Sequence, residues 1–422
     1  MRRLYTLLLY LALPWVSLVL CLRGLRDREY WRGWKARFGA GPQSRGGGIW
    51  VHAVSVGEVQ AAAILIAALR ARAPGTEIAL TCATPTGRSR AASLLPGLAV
   101  SYAPYDLPGA VRRFLRRLHP GLLIVLETEL WPNVLYESWR AQVPTVIASA
   151  RVSARSTAVY QRLPGLLHDT LASNVWVGAQ SSADAQRFAR LGVPVERLSV
   201  VGNIKFDRTM PSDLTQRGAK LRQRYAPGRP VWAAGSTHPG EEQVVLDAHR
   251  RLLQVRPDAL LVLAPRHPQR FESVAASLAS SDLRCVRRSQ QTDSCGAPVL
   301  LLDTLGELVD FYAAADVAFV GGSLVPIGGH NLLEPAAIGV PVLSGPHQFA
   351  SPQVARALSE HKGLIIVHDA GELSDALVRL LNDPQARSTQ GAAAHAVIEA
   401  NRGALQRLVE LIERVPSPHT AQ

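Results

Sequence analysis

Short apolar runs that alternate with helical stretches constrain the fold of this chain more than any other feature. The run Gly48–Val54 is followed by an Ala- and Leu-rich stretch at Glu58–Ala73 and by a second apolar run at Glu77–Ala83. Because strands that are apolar on both faces must be covered on both faces, such runs indicate a parallel sheet with helices on each side. The pattern pauses in the polar stretch Thr209–Pro230 and then restarts. The sequence therefore predicts an α/β protein with two doubly wound, Rossmann-like domains that face a cleft.

The pattern and the local composition divide the chain into predicted segments. They are a membrane anchor with a basic juxtamembrane segment at 1–37, a first Rossmann-like domain at 38–208, a linker at 209–229, a second Rossmann-like domain at 230–397, and a C-terminal helix and tail at 398–422. The sequence does not decide whether the last predicted helix, Ile398–Arg414, packs on the first domain. Ligands of open parallel sheets bind outside the carboxyl ends of the strands, so functional residues are expected in the loops that follow strands.

An apolar segment near the N-terminus departs from the pattern of a soluble protein. Leu4–Leu22 contains no charged residue and is close to the length of about 20 residues that a membrane-spanning helix needs. Arg2 and Arg3 precede it, and a denser group of basic residues follows at 23–37, so the positive-inside rule places the rest of the chain in the cytoplasm. A cleaved signal peptide is the alternative, but no small-x-small cleavage site follows. Whether the segment spans the membrane or lies along it stays open.

Charge and cysteine content limit the classes of partner. The formal net charge is +13, and one predicted helix carries four arginines on one side, Arg112, Arg113, Arg116 and Arg117. Such a group is either a solvated helix face or a site for an anionic lipid. Nucleic acid is disfavoured because no basic stripe is interleaved with stacking aromatics. The cysteines, Cys21, Cys82, Cys285 and Cys295, form no CxxC pair, which argues against a disulfide framework and a structural zinc site.

The string GGSLVPIGGHNLLEP at Gly321–Pro335 is the most specific local motif. It follows an apolar run that is predicted to be a strand and precedes a predicted helix at Leu332–Val340. A glycine loop that leads into a helix N-terminus exposes backbone N–H groups and can bind a phosphate. Glu334 is then placed to accept hydrogen bonds from the vicinal hydroxyls of a ribose. The motif indicates a nucleotide site, and the alternative is a glycine-rich turn capped by Asn331.

Other loops of the second half also carry groups that bind anions. Ser236 and Thr237 follow its first predicted strand, and Pro265, Arg266 and His267 follow the next one. Arginine and histidine side chains there can contact a phosphate or a base edge. No GxGxxG follows the first strand of either half and no Walker A motif is present, which disfavours dinucleotide redox chemistry and P-loop phosphoryl transfer. No histidine–acid cluster has metal-ligand spacing, so no metal is expected.

In the first half, the first predicted strand leads into Ser55-Val-Gly57-Glu58. Gly57 is expected to permit a tight turn, and Glu58 is expected at the start of a helix. The helix dipole favours the ionised carboxylate, which suits a general base at neutral pH. The alternative is an ordinary glutamate in a first helical turn.

A second acidic site follows a later strand of the first half. Glu127 and Glu129 alternate, so on an extended chain they share a face, and either a paired acid/base role or an ionic network with Arg151 or Lys205 is open. Arg151 lies in the string Ser149-Ala-Arg-Val-Ser153, and Lys205 in Gly202-Asn-Ile-Lys-Phe-Asp207. Either cation can hold a carboxylate or a phosphate.

Seven strings taken together resemble one family, the 3-deoxy-D-manno-octulosonic acid (Kdo) transferases of Gram-negative bacteria. They are HAVSVGE at 52–58, ETELWPN at 127–133, SARVSARS at 149–156, GNIKFD at 202–207, GSTHPGEE at 235–242, APRHP at 264–268 and GGHNLLEP at 328–335. The resemblance runs from the N-terminal anchor to about residue 385. It implies the GT-B glycosyltransferase fold and transfer of Kdo from CMP-Kdo to the lipid A precursor, lipid IV A. The family acts at the cytoplasmic face of the inner membrane in lipopolysaccharide biosynthesis.

The resemblance also implies residue roles. The reaction inverts the anomeric carbon without a metal or cofactor, the first domain binds the acceptor, and Glu58 deprotonates the 6′-hydroxyl of the acceptor glucosamine. Gly328–Asn331 and Ser236–Thr237 would hold the CMP phosphate, Glu334 the ribose, and Pro265–Arg266 the cytosine. The candidate binding residues are Ser55, Gly57, Glu127, Arg151, Lys205, Ser236, Thr237, Pro265, Arg266, His267, Gly328, Gly329, His330, Asn331 and Glu334. Where the family usually has Asn-Ala-Arg, this chain has Ser149-Ala-Arg151, which leaves the role of position 149 open.

Two alternatives from other classes are a related nucleotide-sugar enzyme, such as a UDP-sugar epimerase or another lipid glycosyltransferase, and a membrane-tethered binding protein without catalysis. The sequence does not say how many Kdo residues are added, and it leaves the oligomeric state open.

Overall fold

The computed structural model describes residues 1–163, 165–290 and 296–416. The chain divides into two compact units, one formed by Met1–Arg208 with the described residues from Asn401 onward, and the other by Thr209–Ala400. Cys21, Cys82 and Cys285 are free thiols, whereas Cys295 lies outside the described residues.

The strands and helices are as follows. The strands are β1 (Ile49–His52), β2 (Ile78–Cys82), β3 (Ala99–Tyr102), β4 (Leu122–Leu126), β5 (Thr145–Ala150), β6 (Val175–Ala179), β7 (Leu198–Val200), β8 (Val231–Thr237), β9 (Leu260–Pro265), β10 (Cys285–Arg287), β11 (Val299–Leu301), β12 (Val317–Val320), β13 (Val342–Ser344) and β14 (Leu364–Ile366). The helices are α1 (Arg2–Arg26), α2 (Trp34–Arg37), α3 (Val56–Arg72), α4 (Pro85–Leu94), α5 (Pro108–Leu118), α6 (Pro132–Arg140), α7 (Ala154–Gln161), α8 (His168–Asn174), α9 (Ser182–Arg190), α10 (Leu214–Tyr225), α11 (Glu241–Val255), α12 (Phe271–Ala279), α13 (Leu308–Ala314), α14 (Leu333–Ala337), α15 (Pro352–Glu360), α16 (Ala370–Asn382), α17 (Pro384–Asn401) and α18 (Ala404–Glu413).

The first unit is built on a parallel sheet with the strand order β3-β2-β1-β4-β5-β6-β7. Successive residues of β1 point to opposite faces, so Val51 joins one apolar core and Trp50 the other. Helix α3 covers the first face through Val59 and Leu65, and α5 covers the second through Phe114. The sheet is therefore buried on both faces, as the apolar runs predict.

The chain returns to the first unit at its C-terminal end. Leu408 and Ile412 of α18 join the same apolar core as α3. The carboxylate of Asp207 caps this helix by accepting hydrogen bonds from the backbone N–H groups of Gly403 and Leu405, both at 2.6 Å. The prediction of one helix at Ile398–Arg414 was wrong, because Gly403 adopts a left-handed φ of 84° that separates α17 from α18.

The second unit contains a parallel sheet with the strand order β10-β11-β9-β8-β12-β13-β14. Its core includes Trp232 and Phe319 of the central strands, together with residues of α11 and α16. The segment 209–229, predicted as a linker, contains α10, which belongs to this unit. Gly218 of α10 packs so closely on α13 that a Cβ atom there would lie 2.7 Å from the Ala313 backbone. The two parallel α/β sheets confirm the predicted fold class.

Helix α1 is the one described helix that is long and apolar enough to cross a membrane, over Arg2–Leu25. This property is compatible with the predicted anchor.

Candidate active site

The candidate residues lie where the strand order of each sheet reverses. In the first sheet the chain proceeds from β1 through β2 to β3 on one side and from β4 to β7 on the other. Glu58 follows β1 and Glu127 follows β4, so the two carboxylates flank the reversal. In the second sheet Ser236 ends β8, and the Gly321–Pro335 loop follows its neighbour β12. These are the positions at which open α/β sheets bind ligands.

Glu58 and Ser55 form a reciprocal cap at the start of α3. The Ser55 hydroxyl accepts a hydrogen bond from the Glu58 backbone N–H at 3.3 Å and donates one to the Glu58 carboxylate at 2.8 Å. The other carboxylate oxygen accepts from the backbone N–H of Val54 at 2.7 Å. This capping box fixes the carboxylate at the helix start.

The protonation of Glu58 differs from the expectation of a fully ionised carboxylate. The residue is only 6% exposed, and burial raises its pKa from the ordinary value of 4.5 to about 7. This value also includes the hydrogen bonds from Val54 and Ser55, which lower the pKa, and the nearby carboxylates of Glu129 and Glu127, which raise it. Desolvation therefore outweighs the helix terminus and the cap. A carboxylate with a pKa near 7 is well suited to accept a proton at neutral pH.

The tight turn predicted at Gly57 is not observed. Gly57 lies in the first turn of α3 and is not among the glycines with positive φ. A Cβ atom at this position would lie 3.8 Å from the Nζ of Lys205. Gly57 therefore borders Lys205 at the start of α3, and a Cβ atom at that distance would make only an ordinary van der Waals contact.

Lys205 and Arg151 both contact Glu127. The Lys205 Nζ lies 2.5 Å from one carboxylate oxygen of Glu127, and the Arg151 Nε lies 3.3 Å from the other. Glu127 has a left-handed φ of 54°, so the chain is not extended there and Glu129 faces a different partner. Glu129 accepts a hydrogen bond from the Trp131 indole at 2.7 Å, and burial raises its pKa. The ionic network is thus the observed arrangement at Glu127, not a Glu127–Glu129 pair.

Ser149 connects two loops at the same edge of the first sheet. It has a left-handed φ of 52°, and its hydroxyl accepts a hydrogen bond from the backbone N–H of Ile204 at 3.3 Å. It also donates to the Gly202 carbonyl at 3.4 Å. Ser149 therefore holds in place the segment that carries Lys205.

The basic group on α5 is partly used within the first unit. Arg113 donates to the carbonyl of Phe38, Arg117 donates to that of Gly41, and Arg112 lies 3.8 Å from the Glu137 carboxylate. Arg113 and Arg117 therefore fasten the segment between α2 and β1, whereas Arg112 faces the carboxylate of Glu137 on α6.

In the second unit, a carboxylate that the sequence reasoning missed fills the first part of the glycine loop. Glu241, at the start of α11, is fully buried and accepts hydrogen bonds from the backbone N–H groups of Gly322, Ser323 and Leu324 at 2.7–2.9 Å. It also accepts from the N–H of His238 at 2.9 Å. The amide groups predicted to bind a phosphate are here bound by an internal anion. The two adjacent glutamates in GSTHPGEE were the sequence signal that could have indicated this carboxylate.

The second part of the loop turns its amides inward. The N–H groups of Gly328 and Gly329 both donate to the carbonyl of Gly322, at 3.0 and 2.7 Å, and that of His330 donates to Gly321. Asn331 accepts from the Leu333 N–H at 3.2 Å in a turn just before the helix, whose N-cap residue is Leu332 and has no side-chain cap. Helix α14 is only five residues long, so its dipole is weak. A phosphate site was predicted at Gly328–Asn331, but these three backbone N–H groups donate to carbonyls of the protein and do not point to a ligand. The side chains of His330 and Asn331 remain as candidate contacts to the phosphate.

Three histidines form a cluster beside this loop. The Nε2 atoms of His238 and His330 are 2.8 Å apart with stacked rings, and the His267 ring packs edge-on against His238 at 5.2 Å between centroids. Burial, together with the adjacent Arg266, lowers the pKa of His330 to about 3. Burial also lowers the pKa of His238 and of His267. The imidazoles are neutral at pH 7, so Arg266 is the cationic group among these four residues.

Exposure separates the remaining candidates of the second unit. Arg266 and His267 are exposed, and Ser236 and Glu334 are half-buried, so these side chains are open to a ligand. Thr237, Pro265, Gly328 and Gly329 are buried and shape the site from beneath. Glu334 lies near Tyr312, whose pKa is raised by burial and by this carboxylate. Within the described part of the chain, no group of three or more His, Cys, Asp or Glu residues is arranged to hold a metal.

Comparisons with known proteins point to the same family as the seven sequence strings. A family model described as 3-deoxy-D-manno-octulosonic-acid transferase (Kdo transferase) matches residues 32–208. The chain is 40% identical over 425 residues to the 3-deoxy-D-manno-octulosonic acid transferase of Haemophilus influenzae, with 98% of each chain covered. It is 38% identical over 433 residues to the protein of the same name from Bordetella pertussis, covering 98% of this chain and 99% of the relative.

The fold also has more distant relatives among solved structures. A UDP-GlcNAc 2-epimerase from Neisseria meningitidis, bound to UDP-GlcNAc, matches with a TM-score of 0.57 at 12% identity, covering 87% of this chain and 99% of that chain. At this identity the likeness concerns the fold alone. The two near-full-length relatives decide the family: the chain belongs to the 3-deoxy-D-manno-octulosonic acid transferases and is a glycosyltransferase.

Proposed function

We propose that this Kdo transferase moves Kdo from CMP-Kdo to the 6′-hydroxyl of lipid IV A, with inversion at the anomeric carbon and without a metal ion. The observation that carries the proposal is the buried carboxylate of Glu58, which has a pKa of about 7 and lies where the strand order of the first sheet reverses. In its ionised form Glu58 takes the proton of the acceptor hydroxyl. The hydroxyl oxygen then attacks the anomeric carbon, and the bond from that carbon to the phosphate oxygen breaks as CMP departs with the electron pair.

Lys205 and Arg151 are the proposed acceptor-side cations. Their ion pairs with Glu127 leave each group only partly neutralised, because a lysine and an arginine share one carboxylate. The proximity of Lys205 to the start of α3 supports a contact with an anionic group of the acceptor next to the base.

The second unit is the proposed donor site. Ser236 and Arg266 are assigned to the phosphate of CMP, with the side chains of His330 and Asn331 in support. His267 and the Pro265–Arg266 segment are assigned to the cytosine, and Glu334 to the ribose hydroxyls. Because the histidines are neutral, Arg266 supplies the charge that stabilises the departing phosphate.

We also propose that α1 anchors the enzyme at the cytoplasmic face of the inner membrane, where a lipid acceptor is found. The apolar surface of the helix and the basic residues that follow it support this location.

The proposal is tested by incubating the full-length protein in membranes with CMP-Kdo and lipid IV A, followed by mass spectrometry of the lipid. We expect a product that is heavier by one or more Kdo residues, and the spectrum also counts them. A thermal shift that occurs with CMP but not with UDP is expected for the donor site. Stabilisation by UDP alone, or a folded protein that yields no modified lipid, would overturn the proposal.

A further inference from the structure

The N-terminal end of the apolar helix α1 is bound to the first unit. The Arg2 guanidinium donates to the Asn133 side-chain oxygen at 3.2 Å, and the Thr6 hydroxyl donates to the same atom at 3.1 Å. Arg2 also lies 3.4 Å from the ring centroid of Tyr136. The Tyr5 hydroxyl donates to the Asp106 carboxylate at 2.9 Å. The first two turns of α1 therefore contact α6 and the loop before α5.

The residues that receive this end of α1 are themselves firmly held. Asp106 accepts hydrogen bonds from the backbone N–H groups of Asn133 and Val134, at 3.2 and 2.7 Å. The Asn133 side chain donates to the Asp106 carbonyl at 2.7 Å and is fully buried. Tyr5 also packs against the apolar core beneath α6. The N-terminal end of α1 is therefore held by a partly buried hydrogen-bond network, not by an isolated contact between surface side chains.

The C-terminal end of α1 is bound to the same unit. The Trp31 indole donates to the Cys21 carbonyl at 3.0 Å and packs on Gly24, so the chain folds back directly after the helix. The Tyr102 hydroxyl at the end of β3 donates to the Glu29 carbonyl at 3.4 Å. The buried Arg37 stacks on the ring of Tyr102 at 4.0 Å.

Helix length then decides between two membrane geometries. The 25 residues of α1 extend over about 37 Å, more than the about 30 Å of a bilayer core. A spanning helix would separate its two ends by the whole membrane. One polar α/β unit cannot contact both ends unless it lies within the hydrocarbon, which its charged surface forbids.

The outward side of α1 is apolar along its whole length. Most of the exposed large apolar residues recur at steps of three or four, or are direct neighbours in that series: Leu4, Leu7, Leu8, Leu11, Trp15, Leu18, Leu22 and Leu25. Tyr10 and Val16 are also exposed, to either side of this stripe. Exposed basic residues lie near both ends, including Arg3, Arg23 and Arg28. An apolar helix with cations near its ends fits a membrane that contains anionic lipids in either geometry, so the contacts at the two ends of α1 carry the choice between them.

We propose that α1 does not cross the membrane but lies in its plane, sunk along the apolar stripe, with both ends on the side of the first unit. This inference rests on the proposed membrane association and is independent of the proposed reaction.

Cysteine labelling of the full-length protein in a Gram-negative host tests the geometry. In a variant whose native cysteines are replaced, Arg3→Cys is compared with Val195→Cys, an exposed position on the first unit. We expect a membrane-impermeant maleimide to label neither position in spheroplasts and both in inverted vesicles, while a periplasmic cysteine protein is labelled in the spheroplasts. Labelling of Arg3→Cys in spheroplasts would overturn the inference alone. Recovery of the protein in the soluble fraction would overturn both the in-plane geometry of α1 and the membrane association.

A second measurement reports the contact itself. A short bifunctional maleimide is expected to join the cysteines of Arg2→Cys/Tyr136→Cys in membranes, because the native side chains touch. The matched pair Leu11→Cys/Tyr136→Cys places one cysteine on the exposed apolar side and is expected not to react. Cross-linking of neither pair in membrane-bound protein would refute the docking of the N-terminal turn.

Discussion

The substitution Glu58→Gln keeps the shape of a side chain that is 6% exposed and removes its ability to take a proton. General-base catalysis typically contributes about 10²–10⁴-fold to a rate, so we expect kcat to fall by that range while CMP-Kdo binding is nearly unchanged. Because the pKa of Glu58 is about 7, the ionised fraction rises from about one tenth at pH 6 to about nine tenths at pH 8. Wild-type kcat/KM is therefore expected to rise about tenfold over this interval, and the variant is expected to lack this rise.

The raised pKa of Glu58 also predicts a change in stability with pH, in the direction opposite to the change in activity. The pKa of Glu58 is raised by folding, so between pH 4.5 and about 7 the folded chain binds more protons than the unfolded chain. The wild type therefore loses stability as pH rises, by roughly 2–3 kcal/mol between pH 5 and pH 8. Glutamine does not titrate, so the variant gains stability relative to the wild type over this interval.

The assays are initial rates of Kdo transfer and chemical denaturation, each at pH 5–8. Glu137→Gln is a matched control, because Glu137 is also buried but lies on α6 and pairs with Arg112. The control is expected to retain transfer and the wild-type pH profile. Wild-type turnover by Glu58→Gln would refute the assignment of the base, and a relative stability that does not change with pH would refute the raised pKa.

Three further predictions concern the remaining contacts. Lys205→Met leaves the buried carboxylate of Glu127 with one cation and is expected to cost about 1–3 kcal/mol, and adding Glu127→Gln is expected to restore part of it in a double-mutant cycle. Glu241→Gln removes a carboxylate that accepts from four backbone amides, so we expect the free energy of unfolding to fall by about 2–4 kcal/mol in chemical denaturation. We also expect weaker CMP binding in a titration. Gly328→Ala places a Cβ atom 2.7 Å from the Phe349 ring at a φ of 113°, and a fall in melting temperature is expected in calorimetry.

Matched controls separate these effects from general damage. Glu242→Gln changes the neighbouring glutamate, which pairs with Arg270 and binds no loop amide among its described contacts, so CMP binding should persist. Gly75→Ala places its Cβ atom in open space and should leave the melting temperature unchanged. If a variant and its control lost CMP binding or melting temperature equally, the specific role assigned to Glu241 or Gly328 would be refuted.

Much of the candidate site was predicted from local sequence because loops that follow parallel strands share one edge of a sheet. Glu58, Ser236 and the Gly321–Pro335 loop were found in this way, and the structure places them at the strand reversals. The phosphate contact predicted for the glycine loop stays a prediction, although the structure shows several of its backbone amides bonded within the protein. The amides of this loop looked free because a sequence does not show which carbonyls and carboxylates approach them.

The amino-acid sequence by itself determined the alternation of strands and helices, the division near residue 209, the family and the identity of the proposed base. These properties follow from local periodicity and from short strings whose order along the chain is enough to recognise them. The tertiary structure alone decided the pKa of Glu58, because desolvation depends on what packs around the side chain. It also brought Glu241 to amides that lie 81–83 residues later and joined Lys205 to Glu127 across 78 residues. Contacts between residues so far apart depend on the three-dimensional order of the strands, which no local pattern contains.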